Sequence, residues 1–245
     1  VEPKYYFIAG SGNKKNFTKN NLKKISNSLK EEQKKYNLLL AGGDTTFSNK
    51  LSFTITSVGY SKKIIYRNQS NVNNDIYVTG NLGDSFIGLQ VLKNKIKLNK
   101  SKTNYFINKY YMPDIQNKFS KNLLSLATSS MDISDGLITD LNKLINKQNF
   151  SYKIYEKLIP VSRNLNNLIN SKNLKKIDLV SNGDDYQILF TAKPNKAIII
   201  KKLSKSLGVK ISKIGTILSG KNKSLILDQK GREIAINVDG YIHQF

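Results

Sequence analysis

The sequence reads Met131-Asp132-Ile133-Ser134-Asp135-Gly136-Leu137 where an apolar strand is expected to give way to a helix. Ser134 is a candidate helix N-cap, and Asp135 in the first turn would face the positive end of the helix dipole. Capping does not explain Asp132, because a carboxylate after an apolar stretch costs free energy unless it is paired or bound to a metal. The same helix N-terminus could also hold phosphate oxygens. The stretch therefore fits either a plain cap or one side of a magnesium–phosphate site.

Two further acidic motifs stand beside predicted strands. Gly42-Gly43-Asp44-Thr45-Thr46 follows the apolar run Leu38–Ala41, which we interpret as a buried strand, and Gly183-Asp184-Asp185-Tyr186 precedes another strand. Each motif could be an ordinary turn, since Gly and Asp are common turn residues. Alternatively, the glycines would let backbone amides approach phosphates while the carboxylates bind Mg²⁺, which prefers hard oxygen ligands. The first motif is not a Walker loop, because no Lys-Ser/Thr pair follows it at the required spacing.

Strands and helices alternate along the whole chain. Strands are predicted at Lys4–Ala9, Leu51–Tyr60, Asp75–Gly80 and Tyr186–Thr191, and helices at Lys19–Lys35, Ser85–Lys93 and Asn195–Ser206. Leu137, Leu141, Leu144 and Ile145 have the spacing of a buried helical face. This alternation predicts an α/β (α+β) fold. The polar stretch 61–74 is the best domain boundary, and we divide the chain into residues 1–66 and 67–245.

The composition narrows the classes of function. The chain has 245 residues, no cysteine and one histidine, His243, which argues against disulfides, thiolate metal sites and a Ser-His-Asp triad. No run approaches the roughly 20 apolar residues of a membrane helix, so we expect a cytoplasmic protein with no membrane partner. The net charge of +23 raises nucleic-acid binding as an alternative. However, only three of the 40 basic residues are arginine, at positions 67, 163 and 232, and phosphate and base readers favour arginine. We therefore expect no specific nucleic-acid partner.

Taken in order, the motifs resemble the thiamine-monophosphate kinase family, within the aminoimidazole-ribonucleotide-synthetase-like superfamily. The resemblance covers essentially the whole chain. It rests on Ala41-Gly42-Gly43-Asp44-Thr45-Thr46, Arg67, Tyr77-Val78-Thr79-Gly80, Gly83-Asp84-Ser85, Asp132-Ile133-Ser134-Asp135-Gly136-Leu137, Asn182-Gly183-Asp184-Asp185-Tyr186 and Gly240-Tyr241. The sequence departs from the family pattern at Asp184, where glutamate is usual, and at Asn182, where glycine is usual.

The resemblance implies a reaction and a set of site residues. ATP would pass its γ-phosphoryl group directly to thiamine monophosphate, with Mg²⁺ and without a protein nucleophile. The implied metal ligands are Asp44, Asp132 and Asp135; the implied nucleotide contacts are Gly43, Asp44, Arg67 and Ser134; and the implied thiamine-phosphate contacts are Asp184 and Tyr241. Within the same superfamily, a selenophosphate or aminoimidazole-ribonucleotide synthetase is the alternative, and the Asn-Gly-Asp-Asp-Tyr and Gly-Tyr motifs favour the kinase.

The resemblance also implies a two-domain architecture whose first domain is incomplete. Residues 1–66 would be the remainder of an N-terminal domain for ATP binding and dimerisation, and residues 67–245 a C-terminal α/β domain. The chain begins Val1-Glu2-Pro3 and enters a predicted strand almost at once, so we expect that an N-terminal portion with further acidic metal-binding motifs is missing. The full-length protein would be a homodimer, and the present chain could be inactive as a fragment.

Overall fold

The computed structural model describes residues 2–235. The chain divides into two compact units, and the boundary between them falls between Ile64 and Ile65. We call the part before the boundary unit 1 and the part after it unit 2.

Unit 1 is a three-stranded sheet with one helix. Its elements are β1 (Glu2–Gly12), α1 (Lys19–Tyr36), β2 (Leu39–Phe47) and β3 (Ser52–Tyr60). The strand order is β2-β1-β3, with β1 parallel to β2 and antiparallel to β3. Parallel neighbours need a crossover connection, and α1 provides it. The helix begins after Thr18, whose hydroxyl accepts a hydrogen bond from the Asn21 amide at 3.3 Å, and it ends at Asn37 in the left-handed conformation.

The strands of unit 1 carry exposed apolar side chains. Phe7 is 44% exposed, Leu39 62%, Ile55 56% and Tyr60 62%. No residue of β2 is buried, so the predicted strand at Leu38–Ala41 is present but its predicted burial is wrong. Within the described part of unit 1, a single sheet and one helix without a buried residue offer too little apolar surface to enclose the strands.

Unit 2 is a six-stranded sheet with seven helices among its described residues. The strands are β4 (Asp75–Thr79), β5 (Ala127–Asp132), β6 (Phe150–Tyr155), β7 (Ile188–Ala192), β8 (Ile211–Ser219) and β9 (Leu225–Leu227). Their order is β5-β7-β4-β8-β6-β9. All neighbours are antiparallel except β6 and β9, which run parallel. β5 and β7 are therefore neighbours, and this pairing brings two of the acidic motifs to one end of the sheet.

The helices of unit 2 are short. They are α2 (Asp84–Leu92), α3 (Lys100–Tyr111), α4 (Asn117–Leu123), α5 (Leu137–Ile145), α6 (Arg163–Lys172), α7 (Lys176–Val180) and α8 (Ala197–Leu207). The predicted face of α5 is confirmed, because Leu137, Leu141, Leu144 and Ile145 are all buried and share one core cluster with strand residues of the sheet. Helices and strands in both units confirm the predicted α/β (α+β) class. Among residues 2–235, no helix has the length and apolar character needed to cross a membrane.

Candidate functional site

Two acidic loops of unit 2 are joined through their backbones. One follows β5 and carries Asp132 and Asp135; we call it loop 132–136. The other precedes β7 and carries Asp184; we call it loop 182–187. The Asp184 amide donates to the Ser134 carbonyl at 2.9 Å, the Tyr186 amide to Ile133 at 2.8 Å, and the Ile133 amide to Gln187 at 2.9 Å. Because the loops share these hydrogen bonds, a shift of one loop moves the other.

Two glycines allow the loops to approach so closely. A Cβ added to Gly183 would lie 1.7 Å from the carbonyl oxygen of Ser134, and one added to Gly136 would lie 2.0 Å from that of Ser181. Gly136 also has φ of 118°, which side-chain-bearing residues rarely adopt. These glycines are therefore required for close packing of the backbone, whether or not amides there also approach phosphates.

Three of the acidic side chains of the joined loops, Asp132, Asp135 and Asp184, are exposed or partly exposed. Asp132 ends β5 and is exposed, so the expected burial cost of its carboxylate does not arise. Burial, together with the charge of Asp135, raises the pKa of Asp184 above its ordinary value. Burial and then the charges of Asp184 and Asp132 raise the pKa of the Tyr186 hydroxyl. The structure thus brings Asp132, Asp135 and Asp184 into one acidic neighbourhood, with Tyr186 beside them.

The expected cap of α5 is not the one observed. Ser134 does not cap the helix; Gly136 occupies the N-cap position, and Asp140 lies in the first turn where Asp135 was expected. The side chain of Asp140 reaches back instead and accepts hydrogen bonds from the amides of loop 132–136. The signal for Asp140 is in the sequence, because a carboxylate stands three residues after Leu137, on the apolar face of the helix.

The buried Asp140 has a cationic neighbour. Lys143 Nζ lies 3.3 Å from Asp140 Oδ1 and also forms an ion pair with Asp135. Burial raises the pKa of Asp140, while the Asp135 amide and the Lys143 charge oppose that rise. The hydrogen bond to Asp135 raises the pKa of Lys143. Lys143 therefore offsets part of the negative charge at this end of α5.

Loop 182–187 has its own buried carboxylate. Asp185 accepts a hydrogen bond from the Gly83 amide at 2.7 Å and so caps α2 from a distant part of the chain. Burial raises the pKa of Asp185 to about 8, against the opposing effect of the Gly83 hydrogen bond. Asp184 and Tyr186 on either side of Asp185 both have positive φ, 67° and 50°. The chain at Asp184 is thus a turn and not the start of β7, which begins at Ile188.

The backbone around Arg67 is held at a different part of α5 from these carboxylates. The next residue, Asn68, donates its amide to the Leu144 carbonyl at 2.8 Å and accepts from the Lys147 amide at 2.9 Å. The Arg67 backbone therefore lies beside the last turn of α5, whereas Asp135 stands before its first turn. The Arg67 side chain is exposed and has no ion pair or hydrogen bond with any residue that the structure describes.

Gly43 and Asp44 lie within strand β2 of unit 1 and not in a turn. A Cβ on Gly43 would lie 1.9 Å from the Ile8 carbonyl oxygen, so the close pairing of β1 and β2 requires glycine there. Asp44 is exposed, and its Oδ1 accepts the Thr45 amide at 2.7 Å. Gly-Gly-Asp is often found in turns. Here it is part of a strand, because the residues before and after it in the chain are already extended. Tyr241, the other expected thiamine-phosphate contact, lies outside the described residues.

The available ligands suit a metal bound together with phosphate. Within residues 2–235, no group of three or more His, Cys, Asp or Glu side chains is placed to hold a metal ion. Mg²⁺ in nucleotide sites needs only one or two carboxylates, because waters and phosphate oxygens supply the remaining ligands. Asp132 and Asp135, with the Ser134 hydroxyl between them, fit that requirement and do not form a protein-only metal cage.

Curated relatives of this chain are thiamine-monophosphate kinases. No family model matches the chain. The thiamine-monophosphate kinase of Buchnera aphidicola subsp. Schizaphis graminum is 35% identical over 233 residues, which cover 91% of this chain and 69% of the relative. Its counterpart from Buchnera aphidicola subsp. Acyrthosiphon pisum is 34% identical over 221 residues, covering 86% of this chain and 68% of the relative.

A solved structure has the same fold. AaThiL complexed with AMPPCP and TMP superposes on the chain with a TM-score of 0.81 at 22% identity. The match covers 99% of this chain and 74% of that one. At this identity the similarity shows the fold alone, and it agrees with the predicted two-domain α/β architecture.

Proposed function

The chain belongs to the thiamine-monophosphate kinase family, and we propose that it transfers the γ-phosphoryl group of ATP to thiamine monophosphate. The products are thiamine diphosphate and ADP. One observation supports the proposal beyond family membership: backbone hydrogen bonds join the loops that bear Asp132, Asp135 and Asp184, so carboxylates for both substrates lie on neighbouring loops.

We assign the nucleotide side of the reaction to loop 132–136. Asp132 and Asp135 bind Mg²⁺, and Ser134 contacts the phosphates of ATP. When bound, Mg²⁺ neutralises negative charge on the phosphates. The amides of Ser134, Asp135 and Gly136 already donate to Asp140 Oδ2, so the phosphate contact of this loop is assigned to the Ser134 hydroxyl. From the motifs in which they stand, we also assign Asp44 to metal and nucleotide contact, and Gly43 and Arg67 to nucleotide contact. The guanidinium of Arg67, which has no ion-pair partner in the described part of the chain, could make a bidentate phosphate contact.

We assign the acceptor side to Asp184 and Tyr241. Thiamine carries a positively charged thiazolium ring, and a carboxylate beside it stabilises that charge. The turn at Asp184 holds this carboxylate next to the metal-binding loop. An aromatic side chain such as Tyr241 offers a flat surface on which a ring stacks.

The chain needs no protein nucleophile for this transfer. A phosphate oxygen of thiamine monophosphate forms the new bond to the γ-phosphorus, and the bond from that phosphorus to the β–γ bridging oxygen breaks, leaving ADP. The contribution of the protein is to hold the two anionic substrates in line against their mutual repulsion. The joined loops perform this task because they fix the distance between the Asp184 carboxylate and the metal ligands.

Unit 1 is assigned to nucleotide binding and dimerisation, with the domain boundary near residue 66. Its exposed apolar side chains, among them Phe7, Leu39 and Ile55, support a surface that is covered by protein in a homodimer. Sedimentation velocity of the full-length protein tests this part: a monomer at micromolar concentration would contradict the dimer.

Formation of thiamine diphosphate tests the reaction. The full-length protein is incubated with thiamine monophosphate, ATP and Mg²⁺, and the product is separated by chromatography. We expect D132N to lose at least about 100-fold of the activity, since it removes charge that faces the phosphates. The control is D228N, because Asp228 is paired with Arg232 at 2.8 Å on an exposed turn and belongs to neither loop. Equal activity of both variants, or no thiamine diphosphate from the wild type, would contradict the proposal.

A further inference from the structure

Asp140 forms an unusual set of contacts at the start of α5. Its side chain is fully buried. A single oxygen, Oδ2, accepts hydrogen bonds from three successive backbone amides: Ser134 at 2.9 Å, Asp135 at 2.9 Å and Gly136 at 3.2 Å. Hydrogen bonds to an ionised acceptor are about twice as strong as neutral ones. This one carboxylate therefore satisfies three backbone donors of the loop that carries the proposed metal ligands.

The conformation of loop 132–136 depends on these bonds. Gly136 has φ of 118°, and the N-cap position of α5 contributes no side-chain hydrogen bond. Without Asp140, the three amides would lose their acceptor, and each unsatisfied buried donor is costly. The loop would then move to find water or another partner, which would shift Ser134 and Asp135 relative to Asp132.

Lys143 connects the buried carboxylate to the exposed one. It lies one turn after Asp140 on α5 and pairs with both Asp140 and Asp135. Asp140 thus controls Asp135 in two ways, through the Asp135 backbone amide and through the Lys143 side chain. Among residues 2–235, no comparable side-chain connection reaches Asp132, which is held by the strand pairing of β5 with β7.

We propose that Asp140 is a positioning residue of the kinase, which sets loop 132–136 so that Asp132, Ser134 and Asp135 meet the metal and the phosphates together. The inference rests on the proposed function, since it assumes that this loop binds the metal–nucleotide complex. Asp140 is itself buried behind the loop and touches neither substrate. Its effect is on the affinity of the site, and loss of a residue that orients metal ligands costs about 10- to 100-fold in metal affinity.

The test compares D140A and D140N with a matched buried aspartate, and all variants are made in the full-length protein. D140A removes the acceptor, whereas D140N keeps an oxygen that can accept from the amides but loses the charge. The control is D75N: Asp75 is 3% exposed and pairs with Lys213 at 2.6 Å, in strand β4 and away from the loop. All three variants remove a buried, paired charge, so a general loss of stability affects them alike.

Two readouts other than activity separate the outcomes. The first is the dissociation constant of Mn²⁺ with saturating AMPPCP, measured by electron paramagnetic resonance; the second is amide hydrogen exchange of the peptide that covers residues 133–136. We expect D140A to weaken Mn²⁺ binding about 10- to 100-fold and D140N less, with D75N unchanged. We also expect the amides of this peptide to exchange about tenfold faster in D140A alone. The reason is that D140A loses protection equivalent to about one hydrogen bond.

Each result bears on a different part of the inference. Unchanged exchange in D140A would show that the amides do not depend on Asp140, and equal losses in D140A and D75N would show an effect of stability alone; either overturns the positioning role. Faster exchange with unchanged Mn²⁺ affinity would also overturn it. If D140A does not fold, the Mn²⁺ dissociation constants of D140N and D75N decide: weaker binding in D140N than in D75N supports the positioning role, and equal constants overturn it. A wild type that binds no Mn²⁺ with AMPPCP would instead contradict the proposed metal site, and with it any role for Asp140 in that site.

Discussion

Asp185 accepts a hydrogen bond from the backbone amide of Gly83 at 2.7 Å, although 102 positions separate the two residues. Gly83 has φ of 86° and precedes the first turn of α2, so the carboxylate lies at the positive end of that helix. Asp185 is also the immediate neighbour of Asp184, the proposed substrate contact. The start of α2 therefore anchors the loop that would hold thiamine monophosphate.

The burial of Asp185 makes stability depend on pH. In the folded chain its pKa is raised to about 8, whereas an unperturbed aspartate has a pKa of 3.8. Between these two values the folded state keeps a proton that the unfolded chain has released. The contribution of this group to stability is therefore fully present below about pH 3.8 and is lost as pH rises to about 8. The slope is at most about 1.4 kcal/mol per pH unit for one proton.

We expect D185N to flatten this dependence, because asparagine does not titrate. The measurement is urea unfolding of wild type and variant at intervals from pH 5 to pH 9, followed by circular dichroism. The wild type should lose stability relative to D185N as pH rises across this window. D178N, which removes a carboxylate from the neighbouring helix α7, serves as the control and should follow the wild type. Parallel curves for D185N and wild type would show that Asp185 does not hold the proton.

The sequence predicted well those features that depend on neighbours in the chain. The spacing of Leu137, Leu141 and Leu144 predicted a buried face of α5, and the face is buried because helical periodicity is a local property. The same reasoning located loop 132–136 between β5 and α5 and loop 182–187 before β7, whereas the motif at residues 42–46 lies within β2 and not after a strand. Within the described part of unit 2, these local predictions match β4, β5, β7, α2, α5 and α8, whereas the short helix α7 was not predicted.

Features that depend on distant contacts could not be predicted in the same way. Ser134 was a reasonable N-cap by residue type, but a carboxylate six positions later makes the hydrogen bonds instead, since a charged acceptor competes better for the amides. The bond from the Asp184 amide to Ser134 joins residues 50 positions apart and depends on the pairing of β5 with β7. Nothing in either motif alone encodes that register.

The close approach at Gly136 predicts a large loss of stability on substitution. In G136A the new methyl group would lie 2.0 Å from the Ser181 carbonyl oxygen, in addition to the strain of φ at 118°. G208A is the matched control, because Gly208 has φ of 64° but no atom within 4 Å of an added Cβ. We expect about 1 kcal/mol of destabilisation from conformation alone in G208A and at least about 3 kcal/mol in G136A. Urea unfolding measures both, and equal losses would contradict a backbone contact at Gly136.

Ser162 is expected to contribute more to stability than an ordinary helix cap. Its hydroxyl accepts the Leu165 amide at 3.0 Å at the start of α6 and donates to Asp84 Oδ1 at 2.7 Å. S162A therefore removes a cap and also deprives a buried carboxylate of a donor, which together should cost about 2–4 kcal/mol. Asn99 caps α3 in the same unit through the Lys102 amide alone, so N99A should cost only about 1 kcal/mol. Equal values from denaturant unfolding of the two variants would show that Asp84 does not depend on Ser162.

Asp184 allows the charge of the acceptor site to be changed without a change of backbone. Its φ of 67° is one that asparagine adopts readily, so D184N should keep the turn and lose only the negative charge. If this carboxylate stabilises the thiazolium ring, the KM for thiamine monophosphate should rise about tenfold, equivalent to about 1.4 kcal/mol, while the KM for ATP stays within about twofold. Steady-state kinetics with each substrate varied in turn provide the measurement. A rise in the KM for ATP instead would assign Asp184 to the nucleotide, and an unchanged pair of constants would remove it from both substrate sites.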